Sequence, residues 1–189
     1  MKNVAIFASG SGTNAENIIK YFQGNPEIQV AVVLSNNRKV KVHERAKSLS
    51  VPSFHFTREE FEVGTPVLQK LAEYHTDLIV LAGFMNKISD PLLQAYPGRI
   101  LNIHPALLPK YGGKGMYGMH VHEAVVAAGE KETGITIHYI DENYDEGETL
   151  FQATCEVAPG DTPEEVANKV HALEYAHYPR VIEEALSSF

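Results

Sequence analysis

The chain repeats a pattern in which short apolar runs are followed by segments with apolar residues at helical spacing. Residues 4–8, 28–34 and 77–83 are almost wholly apolar, which is typical of parallel strands buried on both faces. After the first run, apolar residues recur every third or fourth position, at Ala15, Ile18, Ile19 and Phe22. This alternation predicts an α/β fold with helices packed against a parallel sheet.

Residues that interrupt or cap helices predict where the helices begin and end. Gly64 and Pro66 should interrupt the helix that follows a short strand at residues 52–56, and Ser89 or Asp90 should begin another helix. In a capping box, a Thr and a Glu three residues later satisfy the free N–H groups at a helix start. Three pairs match this pattern: Thr13 with Glu16, Thr57 with Glu60, and Thr162 with Glu165.

The last third of the chain departs from the simple alternation. Residues 100–104 form another buried strand, and residues 134–140 and 150–157 then read as two strands that pair antiparallel. A long helix follows from Thr162. We predict a mostly parallel twisted sheet of Rossmann-like type, with helices on both faces and antiparallel strands near the C-terminus. Residues 1–189 are expected to form a single domain.

Composition narrows the partners that the protein can have. The chain has 16 basic and 24 acidic residues, a formal net charge of -8, and no concentrated basic patch, so nucleic acid is not an expected partner. Its single cysteine, Cys155, fits a reducing compartment, and no apolar stretch approaches the ~20 residues of a membrane span. We expect a cytoplasmic protein without membrane attachment.

A glycine-rich turn follows the first strand. Residues 9–14 read Ser-Gly-Ser-Gly-Thr-Asn and lead into a helix, so backbone N–H groups are available to hold a phosphate. Gly10, Gly12 and Ala15 also match the dinucleotide fingerprint G-x-G-x-x-A. The second strand ends without the acidic residue that grips an NAD ribose. NAD is therefore disfavoured, while NADP held through Arg38 remains an alternative.

Candidate chemistry lies at the end of the strand at residues 100–104. Asn102 and His104 leave the strand on the same face, and Pro105 ends it. An amide donor and an acid near neutral pH suit a reaction that develops an oxyanion. Carboxylates that could set the proton of the histidine follow a later strand, at residues 141–146. His120 and His122 lack partners that would make a metal site with them, so no metal is expected.

Two further segments flank these strand ends. Residues 84–88 form an apolar loop that could clamp a flat heterocycle, although Phe84, Met85 and Ile88 fit an ordinary core equally well. Residues 111–119 contain four glycines, a density that no regular element carries, and predict a mobile loop near the site.

Four segments together resemble the phosphoribosylglycinamide formyltransferases, folate-dependent enzymes of purine synthesis. They are residues 9–14, residues 81–85, the Leu-Asn-Ile-His-Pro-Ala-Leu-Leu-Pro run at 101–109, and residues 134–147. The resemblance covers essentially the whole chain. It implies transfer of the formyl group of 10-formyltetrahydrofolate, a co-substrate, to the amine of glycinamide ribonucleotide through a tetrahedral intermediate, without a metal. It also implies small-molecule substrates and a monomer or homodimer.

The resemblance also implies roles for particular residues. Asn102, His104 and Asp145 correspond to the catalytic set, with Asp141 and Glu142 as competitors for the place of the aspartate. The residues implied in nucleotide binding are Gly12, Thr13, Asn14, Ala15, Glu16 and, near the ribose, Glu174. The residues implied in folate binding are Arg58, near the acidic tail, together with Met85, Asn86, Lys87, Ile88, Asn102, Asp141, Glu142, Asn143, Tyr144 and Asp145.

Other readings of the same residues stay open. A methionyl-tRNA formyltransferase shares the chemistry but carries a C-terminal RNA-binding domain, and a formyltetrahydrofolate hydrolase carries an extra N-terminal domain. We expect neither addition here. An NADP-binding domain would use the glycine-rich turn, but it gives Asn102, His104 and Asp145 no common purpose.

Overall fold

A single seven-stranded sheet organises the molecule. The computed structural model describes residues 1–142 and 147–189. The strand order is β3-β2-β1-β4-β5-β6-β7, in which the first five strands run parallel, β6 pairs antiparallel with β5, and β7 pairs antiparallel with β6. The strands are β1 (Lys2–Phe7), β2 (Ile28–Ser35), β3 (Ser53–His55), β4 (Leu78–Leu81), β5 (Ile100–His104), β6 (Glu132–Tyr139) and β7 (Thr149–Glu156). The mostly parallel sheet predicted from the sequence is confirmed.

Helices cover both faces of this sheet. Because successive residues of a strand point to opposite faces, Val4 and Ile6 join one buried cluster while Ala5 and Phe7 join the other. Helices α1, α2 and α7 pack in the first cluster, and α3, α4 and α5 in the second. The helices are α1 (Thr13–Phe22), α2 (Lys41–Ser48), α3 (Arg58–Val63), α4 (Thr65–Glu73), α5 (Asp90–Ala95), α6 (Met119–Ala127) and α7 (Pro163–Leu186).

Two of the three predicted capping boxes are present. The side chains of Thr57 and Thr162 cap α3 and α7 reciprocally with the glutamates three residues later. The predicted box of Thr13 and Glu16 is wrong, because Gly12 occupies the cap position of α1 in a left-handed conformation, with φ of 74°, and no side chain caps the helix. Thr13 therefore already lies inside the first turn.

The sheet reverses its winding direction between β1 and β4. Strand β1 pairs with β2 on one side and with β4 on the other, so the chain segments that leave the carboxyl ends of β1 and β4 diverge to opposite faces. Such a switch point opens a crevice at the carboxyl edge of the sheet, where α/β proteins bind their ligands. The glycine-rich turn after β1, residues 83–88 after β4 and the end of β5 all lie at this edge.

The C-terminal helix is tied to the same edge. Tyr178 of α7 is fully buried, and its hydroxyl donates to the carbonyl of Leu81 at 2.8 Å, with the carbonyl of Leu101 at 3.3 Å. Burial raises the pKa of this phenol, so the hydroxyl keeps its proton and remains a donor. The ends of β4 and β5 are thereby fixed against α7.

Candidate active site

Two contiguous cavities open at the carboxyl edge of the sheet. The smaller, of about 380 Å³, is lined by residues 9–14, Asn36 and Asn37 among others. The larger, of about 1060 Å³, contains Asn102 and His104 and is bordered by the loop at residues 112–118. Four residues line both cavities: Gly83, Met85, His171 and Glu174. A single extended ligand, or two ligands that meet end to end, can therefore occupy both spaces.

His104 is held in a defined orientation at the wall of the larger cavity. The residue is only 5% exposed, and its Nε2 lies 2.7 Å from the carbonyl oxygen of Tyr111. A carbonyl can only accept, so Nε2 carries a proton. Nδ1 has no hydrogen-bond partner within residues 1–142 and 147–189. That nitrogen is the one available to accept a proton or, in the imidazolium, to donate one.

The amide of Asn102 is positioned by a histidine on the neighbouring strand. Asn102 and His138 face each other across the antiparallel β5–β6 pair, and Nδ2 of Asn102 lies 3.3 Å from Nε2 of His138. Since an amide nitrogen donates, Nε2 of His138 is the acceptor in this bond. The second N–H of the Asn102 amide remains for a ligand in the cavity.

Thr136 fixes the turn that follows β5. Its fully buried hydroxyl donates to the carbonyl of Ala106 at 2.7 Å and accepts from the backbone N–H of Leu108 at 3.0 Å. Gln152 of β7 donates to the same oxygen at 2.9 Å. The loop that leaves β5 is therefore anchored to the two antiparallel strands, which explains why it can carry a fixed carbonyl to His104.

The glycine-rich turn meets α7 at the border of the two cavities. The hydroxyl of Tyr175 donates to that of Thr13 at 2.9 Å, and Nδ2 of Asn14 lies 3.5 Å from a carboxylate oxygen of Glu174. Oδ1 of Asn14 is buried without a hydrogen-bond partner among the described residues. A ligand that donates a hydrogen bond would relieve this deficit.

Glu174 is an acid with a perturbed pKa at the border between the cavities. Its side chain is 14% exposed, and burial raises the pKa of this carboxyl to about 7, well above its usual range. The nearest basic side chain is His171, at 3.9 Å, whose own pKa is lowered by burial. Near neutral pH this carboxyl is therefore partly protonated, and a ligand with hydroxyl donors would favour the ionised form.

His122 lines the larger cavity and is 3% exposed. Burial, followed by the neighbouring His171 and His104, lowers its pKa to about 4. Its Nδ1 is buried without a partner in the described part of the chain. His122 is thus a neutral imidazole near His104, whereas His120 is exposed and lies 3.8 Å from Glu123.

The predicted site residues fall into three groups. Gly12, Thr13 and Asn14 line the smaller cavity. Lys87, Asn102 and His104 line the larger cavity. Met85 and Glu174 line both cavities. A second group lies outside the walls. Ala15 and Ile88 are core residues, and the side chain of Asn86 accepts a hydrogen bond from that of Asn36 at 3.3 Å. Glu16 forms ion pairs with Lys20 and Arg45. Asn143, Tyr144 and Asp145 lie outside the described residues, and Asp141 and Glu142, just before them, are exposed.

Two arginines that the sequence singles out line neither cavity. Arg58 begins α3 and pairs with Glu62 at 3.2 Å, with most of its side chain in solvent, so its predicted contact with an acidic tail stays a prediction. Arg38 is not part of either wall, whereas the preceding residues Asn36 and Asn37 are. The smaller cavity therefore offers amides where the NADP alternative requires a cation.

Several wall or positioning residues were not identified from the sequence. Asn36, Asn37, Tyr111 and His138 carry no motif, and only the pairing of strands and the packing of loops bring them to the site. The pattern along 134–140 predicted the strand and its antiparallel pairing with 150–157, but not its pairing with β5. A cross-strand neighbour of Asn102 could have been found only with the β5–β6 register in hand.

Within residues 1–142 and 147–189 there is no group of three or more His, Cys, Asp or Glu side chains placed to hold a metal. In the same residues, no helix has both the length and the apolar character needed to cross a membrane.

The doubly wound sheet, with Asn102 and His104 beside a glycine-rich turn, has the architecture of an α/β protein that binds its ligands at the carboxyl edge of the sheet. The family model described as formyl transferase matches residues 2–182, so the chain belongs to the formyl transferase family. The resemblance found in the sequence is confirmed at that level.

Relatives and a solved structure agree over almost the full length. The phosphoribosylglycinamide formyltransferase of Bacillus subtilis (strain 168) is 38% identical over 191 residues, covering 98% of this chain and 95% of the relative. That of Haemophilus influenzae is 36% identical, covering 96% and 86%. The crystal structure of phosphoribosylglycinamide formyltransferase from Bacillus halodurans gives a TM-score of 0.89 at 39% identity, covering 98% of this chain and 96% of that one.

Proposed function

We propose that this chain transfers the formyl group of 10-formyltetrahydrofolate to the amine of 5'-phosphoribosylglycinamide. The products are formylglycinamide ribonucleotide and tetrahydrofolate, a step of de novo purine synthesis. The observation that carries the proposal is the pair of contiguous cavities, one beside a glycine-rich turn and one beside Asn102 and His104. The names of the relatives support the same acceptor.

The smaller cavity suits the nucleotide. Backbone N–H groups at the start of α1 face an anion favourably, because the helix dipole places partial positive charge there. Glu174, at the border with the larger cavity, would accept hydrogen bonds from ribose hydroxyls. With the phosphate in the turn and the ribose near Glu174, the glycinamide amine extends toward His104 in the larger cavity.

The larger cavity suits the folate. Its volume of about 1060 Å³ accommodates a flat bicyclic ring and its extension, and the wall combines the apolar Phe84 and Met85 with Gly83. Lys87 and Lys114 also line it and supply positive charge for the acidic tail of the co-substrate.

The chemistry follows from two fixed donors. When the free amine attacks the formyl carbon, negative charge develops on the formyl oxygen. The second N–H of the Asn102 amide and Nδ1–H of a protonated His104 would stabilise this oxyanion, typically by ~3 kcal/mol per donor. Asp145 would favour the charged imidazole and organise a water that carries the proton from the amine to the departing folate nitrogen. Neither a covalent enzyme intermediate nor a metal is needed for these steps.

Other expectations belong to the same proposal. The protein works as one domain on two small molecules, without nucleic acid or membrane, in the cytoplasm. Both cavities are formed by one chain, so either a monomer or a homodimer is compatible with activity. Size-exclusion chromatography with light scattering distinguishes these two states.

The test is formyl transfer from 10-formyltetrahydrofolate, followed by the release of tetrahydrofolate, with and without glycinamide ribonucleotide. Turnover that requires the nucleotide is the expected result. Equal turnover in its absence would indicate a hydrolase instead. No turnover under either condition, together with a melting temperature that rises with NADP but not with folate analogues, would favour the dinucleotide alternative.

A further inference from the structure

Helix α2 packs against the glycine-rich turn through three contacts. The backbone N–H of Val42 donates to the carbonyl of Gly10 at 3.3 Å. Nε of Arg45 donates to the carbonyl of Ser11 at 2.7 Å. The side chain of Val42 fills the space beside Gly12, where an added Cβ would lie 2.5 Å from Cγ2 of Val42.

These contacts determine the direction of the next N–H groups. In a trans peptide the carbonyl of one residue and the N–H of the following residue point to opposite sides. Because the carbonyls of Gly10 and Ser11 point to α2, the N–H groups of Ser11 and Gly12 point away from it. Residues 10–12 line the smaller cavity, whereas Val42 and Arg45 do not, so these N–H groups face the cavity side. Under the proposed function, these N–H groups would hold the phosphate of the acceptor.

Arg45 is itself held in place. Its Nη1 forms an ion pair with Glu16 of α1, and Lys20 binds the other carboxylate oxygen of Glu16 at 2.8 Å. The hydrogen bonds from Lys20 and Arg45 lower the pKa of Glu16, so this carboxylate stays charged. One guanidinium therefore links the turn before α1 to the first turn of the same helix.

We propose that Arg45 is a positioning residue that orients the glycine-rich turn and thereby sets the affinity for the phosphate of the acceptor. This inference rests on the proposed function, because it takes the phosphate-bearing acceptor as the ligand of the smaller cavity. Arg45 acts through the carbonyl of Ser11 and does not contact the reacting atoms. Its role is separate from that of Asn102 and His104.

The test compares Arg45→Met with the matched variant Lys20→Met. Both remove one positive charge beside Glu16, but only Arg45 contacts the turn. Because the substitution removes the hydrogen bond from the charged Arg45 to the carbonyl of Ser11, Arg45→Met should raise the KM for glycinamide ribonucleotide about 10-fold or more. Its kcat should stay within about twofold and its KM for 10-formyltetrahydrofolate should not change, because the chemistry and the folate wall are untouched. Lys20→Met should leave all three constants unchanged.

A substrate without the phosphate isolates the effect. The ratio of kcat/KM for the nucleotide to that for the corresponding nucleoside should fall in Arg45→Met, and Arg45→Lys, which can replace only one of the two donors, should recover part of it. An unchanged ratio in Arg45→Met, or an equal loss for both substrates, would overturn the inference. Failure of the wild-type enzyme to use the nucleotide at all would instead overturn the proposed function, so the two failures are distinguishable.

Discussion

The carbonyl oxygen of Tyr111 accepts a hydrogen bond from Nε2 of His104 at 2.7 Å. Tyr111 has a positive φ of 58°, an uncommon conformation for a residue with a side chain, and its hydroxyl donates to Glu130 at 2.9 Å. The side chain thus anchors the residue whose carbonyl selects which nitrogen of His104 is protonated. The other ring nitrogen, Nδ1, is left for the reaction.

The first prediction concerns the role of His104 as an acid. His104→Ala should lower kcat by about 100-fold or more, because an acid-base group and an oxyanion donor are both lost. The KM for either substrate should change little. Steady-state kinetics measures this, and His75→Asn, on the opposite edge of the sheet, serves as the control. Near-normal turnover in His104→Ala would refute the assignment.

The second prediction concerns the proton of Glu174. With a pKa of about 7, this carboxyl is about half protonated at pH 7 in the free protein. Ribose hydroxyls that donate to it favour the ionised form, so nucleotide binding should release up to about half a proton at that pH. Titration calorimetry in two buffers of different ionisation enthalpy measures the release.

Glu174→Gln provides the control, because the amide has the same shape and does not titrate. The released fraction should disappear in this variant. If wild type and variant release equal numbers of protons, Glu174 does not change its protonation on binding.

The third prediction concerns His122 and acid stability. Burial, and then the neighbouring His171 and His104, lower its pKa to about 4 from the ~6.5 of an unperturbed histidine. Below pH 6.5 the unfolded chain gains a proton at this position that the folded protein does not bind, so the free energy of unfolding falls as the pH decreases toward 4. Above pH 6.5 the group has no effect on the slope.

His122→Gln should remove this contribution, which amounts to about 3 kcal/mol at most. Urea denaturation of both proteins from pH 7.5 to 4.5 measures the difference. As the pH falls, the free energy of unfolding of His122→Gln should rise relative to that of the wild type. Parallel pH profiles would contradict a neutral buried His122.

The fourth prediction compares two glycines of the same turn. Gly12 has a φ of 74° and no room for a Cβ beside Val42, whereas Gly10 has neither a positive φ nor any atom within 4 Å of an added Cβ. Gly12→Ala should therefore lower the free energy of unfolding by about 2 kcal/mol or more, from left-handed strain plus the clash. Gly10→Ala should change it by less than about 1 kcal/mol. Chemical denaturation measures both changes in the free energy of unfolding. Equal destabilisation by the two substitutions would show that α2 moves to accommodate the added methyl group.

The elements of the sheet were largely predictable, because buried parallel strands and amphipathic helices leave strong periodic patterns. Residues 4–8 and 28–34 appear close to their predicted places as β1 and β2. The capping box at Thr13 was wrong for a local reason. The pattern of a Thr followed by a Glu is present, but the left-handed Gly12 takes the cap position, and Arg45 and Lys20 bind the Glu16 side chain instead.

The candidate site was predictable where motifs carry the chemistry and unpredictable where distant segments meet. Asn102, His104 and the turn at 9–14 follow from local sequence and from the resemblance to a known family. Asn36, Tyr111 and His138 have no local signal. Their roles depend on strand order and loop packing, and Asp145 stays a prediction.

By itself, the sequence determined the class of fold and predicted the chemistry at the end of β5 and the glycine-rich turn, because each depends on residues close together along the chain. Only the tertiary structure decided that the two cavities join at Glu174, that Tyr111 selects the protonated nitrogen of His104, and that Arg45 contacts the turn. The physical reason is that hydrogen-bond direction and burial depend on neighbours outside the local element, 7 residues away for His104 and Tyr111 and 34 for Ser11 and Arg45, which become adjacent only after the fold is assembled.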